Sequence, residues 1–491
     1  MNLEQLAGLT VYPRSVTQAD GTTFFLAHSP QGKMLGVSGD TAGFERNSQS
    51  VIHNAQFLCP LTPANAAALR SRLPWLRPVP LGLQTSAGFG DRLGLATPGH
   101  VQAARRFSSI APIFAQQSVR ENARTGRTPQ QVMDDATWGI FQEGWREPWG
   151  ADADHLKTIS LPPEGGIEGG VDAFVAAGYT FYTVDPGDHV DNEAHTGLPA
   201  EVQAKVDALP WDALEDTAQD LEHRYLTRSF DLGDAAITFE RETLYRAAAK
   251  YGHAVVHTVR MYRHLAAQTG SFELEVSVDE TETPTSPEEH LYIACELERL
   301  GVEWVSLAPR YVGRFEKGVD YIGDLDEFEI ELARHAAIAR AFGPYKLSIH
   351  SGSDKFSIYP IIAELTEGLV HLKTAGTSYL EALRAVAQVD AGFFWEILAF
   401  ARERYDTDRA TYHVSARLSE VPAPDAVGDV DLPTLLEQFD ARQVLHVTFG
   451  SVLDRFGDRL LATLREHEET YDALLTFHFR QHLLPFARAV K

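Results

Sequence analysis

From about residue 80 onward the chain alternates short apolar runs with helix-length segments, and this rhythm restricts the fold more than any other feature. Eight runs stand out: "PLGLQTS" (80–86), "ADHLKTI" (153–159), "YTFYTVD" (179–185), "SFELEVSVD" (271–279), "VEWVSLAPR" (302–310), "YKLSIHS" (345–351), "LVHLKTAG" (369–376) and "RQVLHVTFG" (442–450). Strands that alternate with helices indicate a parallel sheet in an α/β fold. The intervening segments carry helix punctuation. In "SPEEHLYIACELERLG", Ser286 can cap, Pro287 suits the first turn, Glu289 completes a capping box and Gly301 stops the helix. In "TSYLEALRAVAQVD", Thr377 or Ser378 is the expected cap. Eight units predict a (β/α)8 TIM-like barrel, with the N-terminal β-rich cap over residues 1–75. The catalytic domain would occupy 76–491, with helical insertions near 186–240 and 400–440. The rival is a doubly wound open sheet, but no GxGxxG follows the first run, so a dinucleotide-binding version lacks its fingerprint.

Composition narrows the function. The 491 residues carry a formal charge of -25, which lacks the basic footprint of a nucleic-acid binder and opposes attachment to an anionic membrane. An anionic substrate would need local Arg and Lys against that field. Cys59 and Cys295 are the only cysteines and form no CxxC pair; neither a disulfide framework nor a thiolate zinc site is suggested, and Cys295 reads as a core thiol. No secretory leader or 18-residue apolar span is visible, so the expectation is a soluble, cytoplasmic protein.

In such barrels the active site lies at the C-terminal ends of the strands. There the sequence places Asp154, His155 and Lys157, then Asp185, Asp188 and His189, Asp279 and Glu280, Arg310, the stretch "HSGSDK" (350–355), Lys373 and His446. Asp279, His350 and His446 fall on the fourth, sixth and eighth expected strands, and side chains of alternate strands share layers. An Asp with two His is a plausible set for Zn²⁺ or another first-row divalent ion (Mn²⁺, Co²⁺ or Ni²⁺), with His155 or His189 completing it. Any one of these histidines could instead be an ordinary core or surface residue, and "DPGDH" (185–189) also reads as a turn.

Lys157 and Lys373 sit in matching H-L-K-T stretches. A lysine at a barrel mouth costs desolvation unless paired. Each could polarise a carbonyl, move a proton or form a Schiff base, or be a structural partner of Asp279 or Glu280. "GFGDRLGLATPGH" (88–100) could point Asp91 and Arg92 into the mouth, and it is not a P-loop. Arg120, Arg124 and Arg127 could hold an anion or a neighbouring subunit, or form a charged loop before a helix capped by Thr128 and Pro129.

These motifs together ("GFGDRLGLATPGH", "FAQQSVRENARTGRTPQQVMDDA", "FQEGW…PWGADADHLK", "SIHSGSDKFSIYP" and "HLKTAGTSYLEALR") resemble the bacterial tagaturonate/fructuronate epimerase family over roughly 75–460. The resemblance implies a metal-dependent hexuronate epimerase; relatives that interconvert fructose and tagatose at C4 leave open whether the substrate is acid or neutral. The stereocentre to be inverted lies β to the ketone, where no enolate can take up the charge of a removed hydrogen. The expected route is therefore retro-aldol cleavage and re-addition, helped by Lewis acidity at the ketone oxygen. On that chemistry Asp279, His350, His446 and His189 are the expected metal ligands, and Asp185, Glu280 and Lys157 the acid/base groups. Arg92, Arg310, Ser351, Asp354, Lys355 and Lys373 would hold substrate. The expected partner is a small sugar, with a homo-oligomer compatible. A class II-type aldolase or aldose–ketose isomerase on the same barrel is the enzyme alternative, and a sugar-binding protein the non-enzyme one.

Overall fold

The computed structural model describes residues 9–30, 32–45, 51–53, 56–159, 170–233, 235–350, 354–374, 376–422 and 429–487. Eight strands close into a barrel with every neighbouring pair parallel: β1 (Ser86–Gly90), β2 (Ala111–Ser118), β3 (Gly150–Leu156), β4 (Phe181–Val184), β5 (Glu273–Ser277), β6 (Ser306–Ala308), β7 (Lys346–Ile349) and β8 (Val370–Lys373). The expected (β/α)8 barrel is therefore present. Six of the eight expected runs overlap its strands β3 to β8. The first, 80–86, is mostly loop that leads into β1, and β2 was not foreseen.

The eighth expected strand, 442–450, is helical instead. Residues Phe439–Val447 form a helix that starts at Gln438, whose side chain accepts from the Ala441 N–H, and Phe449–Glu466 form the next. Val444, Leu445 and Val447 are buried beside Gln443 and His446. A short apolar run fits a buried helix as well as a buried strand, and periodicity cannot separate them.

Three of the strands alternate strictly. In β5, β7 and β8 the apolar residues Leu274, Val276, Leu347, Ile349, Val370 and Leu372 belong to the hydrophobic core. Their alternates are Glu273, Glu275, Lys346, Ser348, His371 and Lys373, all buried. They meet across the barrel: Lys346 Nζ donates to Ser86 Oγ at 3.0 Å and the Gly82 carbonyl at 2.9 Å, and Ser86 Oγ lies 2.9 Å from His371 Nδ1. Strands of a parallel barrel buried on both faces are ordinarily near-continuous apolar runs. Here the interior is a polar network, so the strands read as period two.

A six-stranded antiparallel sheet formed by Thr10–Val11, Thr17–Ala19, Thr22–Ser29, Gly32–Ser38, Val51–His53 and Gln56–Cys59 precedes the barrel. It is tied to the C-terminal helix Glu468–Ala487: Tyr12 Oη and Lys33 Nζ donate to Glu468 at 2.9 and 2.8 Å. Between β4 and β5 lie short helices, a hairpin (Ser229–Asp231 with Ala236–Thr238) and the 28-residue helix Arg241–Gln268. The capping box at Ser286/Glu289 forms and Thr128 caps its helix as expected, with Gln131 completing a second box, whereas the helix Thr377–Val389 begins at Gly376 in a left-handed conformation without a side-chain cap. Both cysteines are buried thiols. Among the described residues no helix is long and apolar enough to cross a membrane.

Candidate active site

Three side chains converge above the C-terminal ends of β3, β5 and β7. His155 Nε2 lies 3.3 Å from Asp279 Oδ1, and His350 Nδ1 lies 3.5 Å from the same oxygen. His155 adopts a positive φ of 54° at the end of β3, an uncommon conformation for a residue with a Cβ. The remaining nitrogen of each ring is held by a carboxylate: His155 Nδ1 lies 2.7 Å from Asp154 Oδ1 and His350 Nε2 2.6 Å from Glu275 Oε1. This leaves His155 Nε2, His350 Nδ1 and Asp279 Oδ1 facing one point, a donor set that could hold a divalent first-row ion, with carboxylates orienting both imidazoles from behind. Burial penalises the charged ring of His155, but Asp154 and Asp279 outweigh it and raise its pKa well above the ordinary value. Burial likewise opposes the Asp279 carboxylate, yet His350 and His155 hold its pKa well below the usual range.

Beneath this set lies Lys373. Its Nζ is 3.0 Å from Asp152, 2.7 Å from Asp154 and 2.9 Å from Glu275, and the side chain is 3% exposed. Burial alone would discharge the amine, but the three carboxylates hold it protonated and raise its pKa. A Schiff-base lysine must be neutral to attack, so this one is built as a fixed cation. Lys373 does not pair with Asp279 or Glu280. The matching Lys157 is 41% exposed and pairs with Asp188 at 2.9 Å and Asp185 at 3.6 Å.

His155 and His350 open onto a cleft lined also by Arg92, Arg120, Glu121, Lys317, Tyr412 and His446, while Asp279 lines the adjoining cavity with Glu280. Several of these residues are cations. Arg92 is buried against Glu121 at 2.7 Å, with its guanidinium 3.7 Å above the Phe449 ring. Arg120 pairs with Glu280 at 3.1 Å. Burial and the adjacent cations Arg92 and Lys317 push the pKa of His446 well below its ordinary value, so this ring is neutral. Asp185, at the end of β4, keeps a carboxyl whose pKa burial raises, and it accepts from the Gly187 N–H at 2.8 Å. Burial raises and His155 lowers the pKa of Glu280, with a net fall.

The structure thus unites Asp279 and His350, with His155 rather than His189 beside them. His189 lies apart, stacked on His257 at 4.2 Å. His446 reaches the same cleft from a helix, not from a strand, and its Nε2 sits 3.4 Å from an Arg92 nitrogen, outside the three-residue donor set. Asp354 and Lys355 reach neither the cleft nor each other. Asp354 is held by Arg442, His478 and His482, and Lys355 Nζ donates to the carbonyls of Glu316 and Val319. Burial depresses the Lys355 ammonium to about 7. Asp91 turns away as well, accepting from the N–H groups of Leu93, Gly94 and Ala96, while Arg92 enters the cleft. Arg310 lines an adjoining outer cavity with Glu280, Arg314 and Lys317. Ser351 lies outside the described residues.

Glu121 escaped the sequence reading, although Ser118-Val-Arg-Glu121 is a capping box that opens the helix Val119–Thr125 and could have marked it. Tyr412, which accepts from Arg124 at 2.6 Å, and Lys317 carry no comparable local signal. Arg127 spans to Asp135 and the Asp91 carbonyl.

Residues 12–485 match the family model described as tagaturonate epimerase. The chain belongs to that family. It is an epimerase, and it is 44% identical to the tagaturonate/fructuronate epimerase of Thermotoga maritima over 485 residues, 97% of this chain and 96% of that one. Two crystal structures of the fructuronate–tagaturonate epimerase of Cohnella laeviribosi, one native and one with a single glycerol, superpose with TM-scores of 0.90 and 0.89. They are 38% and 39% identical to this chain, and each alignment covers 99% of it and 98% of the solved chain.

Proposed function

We propose that this epimerase interconverts tagaturonate and fructuronate in a metal-dependent reaction that breaks and re-forms the carbon–carbon bond beside the inverted carbinol. The observation that carries the reading is the mixed lining of the cleft: His155 and His350, which form a donor set with Asp279, share it with Arg92, Arg120, Lys317 and a neutral His446. A keto-hexuronate offers a match for both, with oxygen donors along the ketone and its neighbouring hydroxyls and a carboxylate at the terminus. Guanidinium groups suit that carboxylate because their fork is bidentate.

A divalent ion on His155, Asp279 and His350 would supply Lewis acidity at the ketone oxygen. The protein groups supply the rest. Asp154 and Glu275 fix the two imidazoles, and Lys373 holds those carboxylates in place. Asp185, a buried carboxyl whose pKa burial raises, takes the proton of the carbinol hydroxyl as the adjacent carbon–carbon bond breaks. Lys157, 3.6 Å from Asp185 and partly exposed, connects that proton to solvent. The aldehyde fragment then turns, presents its other face, and regains the proton when the bond re-forms. Glu280 is committed to Arg120 and supports that cation rather than the proton transfer.

The test uses EDTA-treated protein incubated with tagaturonate, fructose and tagatose in parallel, with Zn²⁺, Mn²⁺, Co²⁺ or Ni²⁺ restored singly. Activity that returns with metal and favours tagaturonate supports the reading. Full turnover by metal-free protein, or preference for the neutral hexuloses, refutes it.

A further inference from the structure

A second convergence lies behind the cleft, and the epimerase reaction does not account for it. His478 and His482 sit one turn apart on the helix Glu468–Ala487, so their rings share a face. Both aim their Nε2 at Asp354, which follows β7. Asp354 Oδ1 lies 3.0 Å from His482 Nε2 and 3.2 Å from His478 Nε2, and the two nitrogens are 3.1 Å apart. All three residues are buried.

The outward nitrogens face other partners. His482 Nδ1 is hydrogen-bonded to Tyr359 Oη at 2.9 Å, and His478 Nδ1 faces Glu381 Oε1 at 3.6 Å, a buried oxygen that has no hydrogen-bond partner. Arg442 takes the other oxygen of Asp354 and fixes its plane. An Nδ1–H on His478 directed at Glu381 leaves its Nε2 lone pair facing inward, and an Nδ1–H on His482 directed at Tyr359 does the same. Outer partners of this kind accompany metal-bound histidines.

Two Nε2–H groups donated to Oδ1 would crowd each other at 3.1 Å, so at least one Nε2 presents a lone pair to the centre of the triangle. A cation fits the same geometry. A nearly equilateral triangle of this size has its centre about 1.8 Å from each corner, so an ion with bonds of about 2.0–2.1 Å sits roughly 1 Å above its plane, as over one face of a tetrahedron. The charge balance selects among ions. Asp354 is neutralised by Arg442 and Glu381 by Arg384, which is 2.9 Å away. Two imidazoles with one neutralised carboxylate suit Zn²⁺, Ni²⁺ or Cu²⁺ and disfavour Mg²⁺ or Ca²⁺.

We infer that Asp354, His478 and His482 form a second, buried site for a nitrogen-preferring divalent ion, structural in role. The ion ties the C-terminal helix to the segment after β7. Through Arg442 it also ties both to the helix Phe439–Val447, which presents His446 to the cleft.

The test is metal content by plasma mass spectrometry on full-length protein produced with added Zn²⁺ and dialysed against EDTA. Wild type and a His155→Gln/His350→Gln variant are each expected to retain about one equivalent, because a buried ion exchanges slowly. A His478→Gln/His482→Gln variant is expected to retain less than about a tenth of one. In the His155/His350 variant, Co²⁺ in place of Zn²⁺ should give the strong visible absorption of a four-coordinate ion. The inference is overturned if that variant retains no metal, or if the His478/His482 variant retains as much as wild type. Where the latter does not fold, the His155/His350 variant decides alone. Failure of the proposed catalytic metal site is separable: undialysed protein would then lose no metal on His155→Gln/His350→Gln substitution.

Discussion

Replacing Lys373 with Met should cost roughly 3–5 kcal/mol, the usual penalty for stranding one buried charge. The amine meets three carboxylates at 2.7–3.0 Å, but they are not equally dependent on it. Asp154 also has His155 and Gln116, and Glu275 also has His350 and Thr183. Apart from Lys373, Asp152 has the Thr183 hydroxyl on Oδ1 and, facing Oδ2, His371 Nε2 at 4.0 Å, beyond hydrogen-bond range. One stranded charge rather than three is therefore expected. With unfolding entropy near 2.1 cal/mol/K per residue, the 491 residues unfold with about 1 kcal/mol/K, so Tm falls by roughly 3–5 °C. Adding Asp152→Asn should recover most of the loss, since it removes the stranded charge. Lys373 holds the pKa of Asp154 and Glu275 well below the carboxylate range, so its stabilisation is present above about pH 4 and fades as pH falls. The gap between Lys373→Met and wild type should thus narrow toward acid. Calorimetry at pH 8 and at about pH 3, below the unfolded carboxylate range, measures this. A Tm within about 1 °C of wild type at pH 8, or no recovery with Asp152→Asn, would refute the claim that Lys373 is a fixed counter-ion.

Other outcomes follow from the same geometry. Borohydride with substrate should not inactivate the enzyme, because Lys373 stays protonated; covalent trapping at that residue contradicts this. Asp185→Asn should lower kcat by about 10²–10⁴ with KM little changed, as loss of a general base does; a change confined to KM would instead make Asp185 a binding residue. Arg120→Ala should raise KM for tagaturonate about tenfold or more and leave that for tagatose nearly unchanged, and an equal effect on both would remove the carboxylate-binding role. Burial raises the Asp472 carboxyl to about 8, beside Glu468 and Glu143. The folded chain then keeps a proton that the unfolded chain loses above about pH 4, so stability declines as pH rises toward 8. Asp472→Asn should therefore raise Tm more at pH 8 than at pH 5, as scanning fluorimetry would record.

Much of the barrel was legible because its strands carry a simple alternation, apolar toward the helices and polar inward. What failed was the count. "APIFAQQS" ends in three polar residues, of which Gln116 reaches Asp154 and Ser118 lines the cleft, so β2 did not read as an apolar run, while the buried helix at 439–447 did. Two compensating errors kept the total at eight and displaced the numbering by one. Asp279 and His350 still converge, because β5 and β7, like the fourth and sixth, are alternate strands. His446 reached the cleft for a different reason than strand order. His155 owes its place to a positive φ that nothing in "ADHLKT" announces. Asp354 and Lys355 looked like substrate residues because they follow His350, yet their partners lie on distant segments: Arg442, His478 and the carbonyls of Glu316 and Val319. The H-x-x-x-H spacing of His478 and His482 was present in the sequence, but its third member is more than a hundred residues away.

The central claim is that inversion proceeds by carbon–carbon cleavage at a site built on His155, Asp279 and His350. Its most direct test is turnover of tagaturonate in D₂O with metal-loaded enzyme, followed by proton and carbon NMR. The account predicts fructuronate whose inverted carbon keeps its original hydrogen, and no fructuronate from the His350→Gln variant. Deuterium at the inverted carbon, or undiminished turnover by that variant, would contradict it.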